Sequence, residues 1–235
     1  MQKVPNKVIF SSTVAFLRFV VLYSRKVGAS KLLAFFNANF RRYNMLFYAI
    51  SAESSGPFPV AGRNNKDTEL TALRIVTCPD NKLICDGVFT RSDGLSVASP
   101  FNSITDEMVK GRPDFSKSVD KLAPVFFHKG KNEKGVVDYD TLFFCFGAGF
   151  YQELFKRYGV VRDKLFVDVL PMVRDIRDQQ ARVNMPSNAA GSKMPTIKEV
   201  AEFFGKDEPR SPQDKTELIC DVWNWVLESR GRGGI

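Results

Sequence analysis

Apolar residues recur along this chain mostly at steps of three and four, the spacing that places side chains on one face of an α-helix. The segment 163–182 shows this pattern most clearly, and its charged residues fall on the other faces. Its apolar face consists of Leu165, Phe166, Val169, Val173 and Ile176. Similar spacing predicts helices over 13–26, 30–40 and 67–76.

Other helices are marked by the residues that begin them. Thr196 and Glu199 have the spacing of a capping box, in which each side chain bonds the backbone N–H of the other residue. Ser211 followed by Pro212 is a favoured N-cap with a favoured first helical residue. Capping residues also predict a short helix within 103–110.

Strand and loop signals are fewer than helix signals. The segment 82–92 alternates apolar and polar residues around an Asp-Gly pair, which predicts a short β-hairpin. The segment 140–158 fits a long apolar helix, although its residues 142–146 also fit a buried strand. Residues 51–66 are rich in Ser, Gly, Pro and Asn, so we interpret them as a surface loop.

The composition is rich in phenylalanine and basic. The chain contains 21 Phe among 235 residues, and 34 Lys and Arg against 26 Asp and Glu give a net charge of +8. A surplus of this size favours a polyanionic partner, either nucleic acid or an acidic membrane face. The alternative interpretation is a solvated surface with spare lysines. Hydrophobic residues make up 44% of the chain, which is enough for a folded core.

Few residue patterns suit catalysis. The one histidine, His128, leaves a single candidate base for a Ser-His-Asp or Cys-His device. No glycine run has the spacing of a phosphate-binding loop, and the four cysteines form no Cys-x-x-Cys pair. The carboxylate pairs at 138/140 and 175/178 are accompanied by Lys or Arg, which indicates solvated salt-bridging faces. We therefore expect a protein that is not an enzyme and that holds no metal and no cofactor.

The N-terminal run 8–23 is very apolar and raises the question of a membrane segment. Arg18 interrupts it, and its uncharged stretches are shorter than the about 20 residues that span a bilayer. We interpret the run as a buried helix and expect no membrane insertion.

Cations and aromatic residues alternate at several places along the chain. Binding of single-stranded nucleic acid needs this combination, since cations follow the phosphates and aromatic faces stack on bases. Each cluster alone is typical of a solvated charged face, and together they favour RNA binding. The candidate RNA-binding residues are Arg25, Lys26, Lys31, Arg41, Arg42, Tyr43, Arg63, Arg74, Lys129, Lys131, Lys156, Arg157, Tyr158, Arg174, Arg177 and Arg182.

The order of several short motifs resembles the nucleocapsid proteins of orthobunyaviruses. The resemblance covers scattered positions between about residues 13 and 158. Its motifs are Val14-Ala15-Phe16-x-x-Phe19, Phe35-Phe36, Phe58-Pro59 ahead of Arg63-Asn64-Asn65, Leu70-Thr71-x-x-Arg74, Leu142-Phe143-Phe144, Phe150, Phe155-Lys156 and Tyr158. This chain departs from the family in the longer Phe-Pro-to-Arg spacing and in its C-terminal tail.

The resemblance implies a mostly α, two-lobed helical fold with one small β-hairpin, terminal arms and an RNA groove between the lobes. It implies that Arg63 and Arg74 contact RNA, whereas most of the other candidates rest on composition and spacing. The expected division is an N-terminal arm (1–12), an N-lobe (13–125), a C-lobe (126–184) and a C-terminal helical arm and tail (185–235).

The predicted function is that of a viral nucleocapsid protein, which coats single-stranded genomic RNA and self-assembles in the virion and host cytoplasm. Expected partners are single-stranded RNA, other copies of the chain and a viral polymerase. The alternatives are the coat protein of a filamentous or rod-shaped plant virus, a helical protein-interaction module and an enzyme. The residues expected in self-association are Val8, Ile9, Phe10, Trp223 and Trp225.

Overall fold

The computed structural model describes six stretches of the chain, which are 46–56, 68–99, 102–131, 137–161, 165–173 and 194–231. The strands are β1 (Leu46–Ser54), β2 (Leu70–Thr77), β3 (Leu83–Val88), β4 (Lys129–Lys131), β5 (Val137–Tyr139), β6 (Thr141–Cys145) and β7 (Phe166–Asp168). The α-helices are α1 (Asp106–Val109), α2 (Val119–Phe126), α3 (Ala148–Lys156), α4 (Ile197–Phe203) and α5 (Pro212–Gly231), and a 3-10 helix spans Phe115–Lys117.

Five strands form one mixed sheet in the order β3-β2-β1-β6-β7. β1 lies at its centre, antiparallel to β2 and parallel to β6, and β7 extends the sheet parallel to β6. β4 and β5 form a separate two-stranded ribbon. From β1 the chain passes to β2 and then β3 on one side of the sheet, and it later returns to add β6 and β7 on the other side.

Helices cover both faces of the sheet, which explains why β1 and β6 are nearly continuous apolar runs rather than alternating ones. On one face, Ile50 and Phe143 pack with Phe126 of α2 and Phe155 of α3. The aromatic rings interlock there, with the Phe126 and Phe143 centroids 5.2 Å apart. Three layers, helix, sheet and helix, thus enclose two separate apolar cores.

The C-terminal helix α5 covers the opposite face of the sheet. Its buried residues recur at helical spacing, and they are Leu218, Ile219, Val222, Trp223 and Val226. The ring of Trp223 stacks on Phe144 of β6 at 4.4 Å and on Phe47 of β1 at 5.5 Å. This packing makes α5 part of the main core.

The prediction of a mostly α, two-lobed helical fold with terminal arms is wrong. A central five-stranded sheet organises the described residues, and α5 packs on that sheet rather than extending as an arm. The predicted helix 67–76 contains the strand β2, and the predicted hairpin 82–92 contains the single strand β3. Thr, Ile and Val are frequent in β2, and their β-branched side chains favour a strand wherever the sheet offers a partner.

Several local predictions are confirmed. The capping box of Thr196 and Glu199 begins α4 with both of its hydrogen bonds, and Ser211 and Pro212 begin α5. The strand alternative for 142–146 is correct, since Thr141–Cys145 forms β6.

Other predictions concern segments that lie partly or wholly outside the described residues. β7 takes up part of the predicted helix 163–182, so that prediction is wrong over Phe166–Asp168. The predicted helices over 13–26 and 30–40 lie outside the described residues. The lobe and arm boundaries stay a prediction, although strands from both predicted lobes pair in the one sheet.

We expect Trp223→Ala to lower the free energy of unfolding by about 3–5 kcal/mol, because the truncation leaves a cavity between α5, β1 and β6. Urea denaturation monitored by circular dichroism measures this change. Val161→Ala is the control, since Val161 is 67% exposed and its truncation should change stability by less than about 0.5 kcal/mol. Equal stability of the Trp223→Ala variant and the native chain would contradict this account of the core.

Candidate functional site

The sheet has a crevice where β1 and β6 separate. Their last paired residues are Ala49 and Phe144, and β1 continues for five more residues, Ile50 to Ser54, without a partner in β6. In open α/β sheets, ligands bind outside the carboxyl ends of the parallel strands at such a switch point. The carboxyl ends of β1, β6 and β7 therefore define the candidate site, which we call the β1–β6 crevice.

Glu53 is a buried charged residue near the carboxyl end of β1. Only 4% of its surface is exposed, and one of its carboxylate oxygens lies 2.6 Å from the Nζ atom of Lys215 on α5. The Lys215 side chain is 25% exposed, so this ion pair has one buried member and one member open to solvent. A buried carboxylate needs a cation and hydrogen-bond donors, and Lys215 supplies both.

The backbone of Lys215 is fixed by the first turn of α5. The Asp214 N–H donates to the Ser211 hydroxyl, and the Asp214 carboxylate accepts from the Ser211 N–H. The hydrogen bond from the Ser211 N–H holds the pKa of the Asp214 carboxyl below its usual value. One turn further, Leu218 and Ile219 are buried against the sheet. The helix therefore presents Lys215 to Glu53 from a rigid support.

A β-bulge shapes the strand at the same place. β1 and β2 pair in regular register up to Glu53 and Ala72, and then Ser54 pairs with Leu70, which leaves Thr71 as the extra residue. Bulges bend a strand and redirect its side chains, and they are frequent beside functional sites. Glu53 thus lies directly before an irregularity in the pairing of β1 with β2, where β2 carries the extra residue.

Tyr151 of α3 closes the free edge of β1. The Ala52 N–H has no β6 partner and donates to the Tyr151 hydroxyl at 3.2 Å. The Tyr151 side chain is buried, and this burial raises the pKa of its phenol well above the usual value. The phenol therefore stays protonated at neutral pH and keeps a hydrogen for donation.

The start of α3 forms another wall of the crevice. Gly147 links β6 to α3 with a φ of 79°, a left-handed conformation that favours glycine, and no side chain caps the helix. The Phe150 N–H donates a hydrogen bond to the Gly147 carbonyl oxygen. Nearby, Asp168 ends β7, and its carboxylate accepts from the Leu170 N–H at 3.0 Å.

The segment after β3 packs against the end of β1. The Asn102 side chain donates to the carbonyls of Ser54 and Val97, and the Arg91 guanidinium donates to the Ser55 hydroxyl. These bonds position the last residues of β1 from the side opposite to β6.

The residues of the crevice do not fit a divalent metal ion at Glu53. Metal-dependent catalytic sites commonly hold such ions between several carboxylates. Among the residues that the structure describes, no three His, Cys, Asp or Glu side chains group together in a way that could hold a metal. Glu53 is already neutralised by Lys215, the cation that the described part of the chain places against it.

The structure disperses the candidate RNA-binding residues that it describes. Arg74 of β2 forms an ion pair with Asp86 of β3, at the opposite side of β1 from β6. Tyr158 accepts a hydrogen bond from the Leu70 N–H at 2.9 Å, and its ring packs edge-on against Phe115. Tyr158 thus has a structural role in the apolar core.

The other described candidates lie on the surface. Lys156 and Arg157 are exposed at the end of α3, and Lys129 is exposed on β4. Lys131 ends β4, and only its backbone is described. The candidates outside the described residues are Arg25, Lys26, Lys31, Arg41, Arg42, Tyr43, Arg63, Arg174, Arg177 and Arg182.

The predicted self-association residues are also partly described. Trp223 is 3% exposed inside the core, and Trp225 packs edge-on against Phe203 and Phe204. Val8, Ile9 and Phe10 lie outside the described residues. Self-association through these five residues stays a prediction.

The three central residues, Glu53, Lys215 and Tyr151, are not among the site residues predicted from the sequence. Residue 53 falls in the interval 51–66, whose composition predicts a surface loop, and that prediction is wrong over 51–54, which completes the buried strand β1. Lys215 and Tyr151 carry no local signal, because their partners are 162 and 99 residues away in sequence.

The fold is shared with exonuclease I of E. coli. The chain matches that enzyme in complex with a 5cy-dT13 oligonucleotide at a TM-score of 0.56 and with a dA16 oligonucleotide at 0.55. In both comparisons the identity is 12%, and the match covers 80% of this chain and 42% of exonuclease I. The chain thus spans less than half the length of that protein, and the likeness establishes the fold.

A weaker likeness, at a TM-score of 0.46 and 14% identity, links the chain to a 3'-exonuclease that recognises a histone mRNA stem-loop. It covers 80% of this chain and 83% of that one. No protein-family model and no curated protein sequence matches the chain.

These findings overturn two predictions. The nucleocapsid function and its coat-protein and interaction-module alternatives rested on a mostly helical fold, whereas the chain has the sheet of an exonuclease. The prediction that the chain is not an enzyme is overturned by the same likeness, since the fold is that of an enzyme. The resemblance to orthobunyavirus nucleocapsids and the virion and cytoplasmic localisation stay predictions. None of the described helices has the length and apolar character of a membrane span.

We expect Lys215→Met to lower the free energy of unfolding by up to about 3 kcal/mol, because it leaves the buried Glu53 carboxylate without a cation. The double variant Glu53→Gln with Lys215→Met should recover most of that loss. Urea denaturation of the four proteins in this cycle measures the coupling. Lys198→Met is the control, since its pair with Glu202 is exposed and should contribute less than about 0.5 kcal/mol. Additive effects of the two site substitutions would contradict the ion pair.

We expect Tyr151→Phe to destabilise the chain by about 1–3 kcal/mol, because the buried Ala52 N–H loses its acceptor. The same variant should speed hydrogen exchange at the Ala52 amide more than at paired amides of β1 such as that of Ile50. Amide exchange followed by NMR distinguishes these positions. An unchanged exchange rate at Ala52 would mean that the hydroxyl is not its acceptor.

Proposed function

We propose that this chain binds a single-stranded nucleic acid in the β1–β6 crevice. The observation that carries the proposal is the exonuclease I fold together with a crevice at the carboxyl ends of its parallel strands. Several of the exonuclease I structures that match are complexes with an oligonucleotide, such as dA16 or dT13. The net charge of +8 supports the same partner, because a basic protein attracts a polyanion.

The chemistry of the crevice suits a phosphate group. The Lys215 ammonium is partly exposed beside Glu53 and offers donors to an anionic oxygen. The first N–H groups of α3 are free of a side-chain cap, and the helix dipole favours an anion at this end.

A second candidate function is cleavage of phosphodiester bonds from one end of the strand. The specific observation in its favour is that the matching structures are those of an exonuclease. This reaction would be seen as a ladder of shortened oligonucleotides labelled at one end. The same preparation with Glu53→Gln identifies cleavage that depends on this crevice.

Binding is tested by fluorescence anisotropy with labelled poly-dT and poly-rU oligonucleotides and with a duplex of equal length. We expect single strands to bind more tightly than the duplex. The logarithm of the association constant should fall with the logarithm of salt concentration by about 0.7 for each phosphate contacted. No binding of any oligonucleotide at low salt would contradict the proposal.

A pair of matched charge substitutions locates the binding surface. Gly149 lies in the first turn of α3 at the crevice, and Asn81 is exposed in the turn between β2 and β3, at the opposite end of the sheet. Gly149→Glu adds a negative charge where a phosphate would bind, so we expect about tenfold weaker affinity, which is about 1.4 kcal/mol. Asn81→Asp has the same charge change, at a left-handed φ of 52° that Asp also tolerates, and should alter affinity by less than about twofold. Equal effects of the two would place the nucleic acid elsewhere.

A further inference from the structure

The Glu53–Lys215 pair identifies the positive charge that neutralises the buried carboxylate of the crevice. Enzymes that cut phosphodiesters often place two divalent ions between several carboxylates, and each ion neutralises charge on the phosphate. Here the buried carboxylate has an ammonium group 2.6 Å from its oxygen. That is direct contact between the charged atoms, without room for an ion between them.

We infer that the Lys215 ammonium holds the cation position beside Glu53, so that the crevice binds nucleic acid without a divalent metal ion at this carboxylate. The statement about nucleic acid rests on the proposed function. The statement about the metal rests on the ion pair alone, so the two can fail separately.

Repulsion opposes a metal ion in this place. An ion coordinated by the Glu53 carboxylate would lie within a few ångströms of the Lys215 Nζ atom. Two positive charges that close repel strongly in a site where Glu53 is 4% exposed, because little water screens them. The metal could bind only after the ammonium had moved away.

The neighbouring residues offer little to replace the ammonium. Mg²⁺ requires six oxygen ligands in near-ideal octahedral geometry and dehydrates reluctantly. Across the sheet from Glu53 lies Ala72, and the strand residue two positions earlier on the same face is Ser51. The Asp168 carboxylate, at the end of β7, is engaged with the Leu170 N–H. Among the described residues, Glu53 therefore belongs to no group of three or more His, Cys, Asp or Glu side chains that could hold an ion.

Lys215 can contact Glu53 and a phosphate at the same time. An ammonium has three donors, and the contact with Glu53 uses one of them. A quarter of the Lys215 side chain is exposed, so the ammonium can be reached by a ligand while it contacts Glu53. The chemistry recognised is thus an anionic phosphate oxygen of a nucleic-acid strand, held by a fixed organic cation.

The metal is tested with Mn²⁺ as the probe, added to the full chain and followed by the loss of the free-ion signal in electron paramagnetic resonance. We expect the native chain and the Glu53→Gln variant to leave the same amount of Mn²⁺ free. One equivalent of Mn²⁺ bound by the native chain and lost in Glu53→Gln would overturn the inference.

A second experiment compares the affinity of the chain for an oligonucleotide in EDTA and in Mg²⁺ at equal ionic strength. We expect a difference of less than about twofold for the native chain and about tenfold weaker binding by Lys215→Met in both buffers. Lys215→Arg should restore affinity in EDTA, because it keeps the charge, and this rescue also covers the case in which Lys215→Met fails to fold. Affinity that requires Mg²⁺ would overturn the inference. If no oligonucleotide binds in either buffer, the proposed function fails, and the Mn²⁺ titration alone decides the question of the metal.

Discussion

Burial of β1 on both faces is the constraint on which the rest of this structure depends. The strand is central, and it pairs with β2 on one side and with β6 on the other. Its side chains point alternately into two separate cores, one under α2 and α3 and the other under α4 and α5. Each helical layer is needed to keep one set of these side chains from water. The three-layer arrangement follows from this single strand.

The same strand creates the candidate site where its partner ends. β6 pairs with only the first four residues of β1, so the backbone beyond Ala49 needs other partners on that edge. Tyr151 provides a hydrogen-bond acceptor for Ala52, and Lys215 provides a cation for Glu53. One partner comes from each helical layer. The crevice is therefore assembled by the two layers together, and neither layer alone would complete it.

The distribution of charge separates structural from binding roles. Arg74 and Tyr158, both expected to contact RNA, have partners within the fold, which are Asp86 and the Leu70 backbone. Lys215, which had no place in the expected basic clusters, is the described cation beside the buried carboxylate. Clusters of cations along a sequence mark a basic protein, but the position of a single cation against a buried acid defines a specific site.

Local chemistry and additive charge made part of this protein predictable, whereas tertiary contacts decided the rest. Thr196 with Glu199 and Ser211 with Pro212 act through hydrogen bonds and dihedral angles within a few residues, so they begin helices in the same way in any fold. The amphipathic spacing of α5 repeats within one helix and is equally visible in the sequence. The basic composition indicates a polyanionic partner, because net charge is a sum over residues.

By contrast, the runs at 46–54 and 70–77 contain the apolar residues of either a buried helix or a buried strand, and only pairing with each other and with β6 selected the strand. The contacts of Glu53 with Lys215 and of Ala52 with Tyr151 join residues far apart in sequence, and no short pattern encodes them. By itself the sequence determined where helices begin and what charge the protein carries, because those properties are local or additive. The sheet and the site depended on long-range burial, which exists only once the chain has folded.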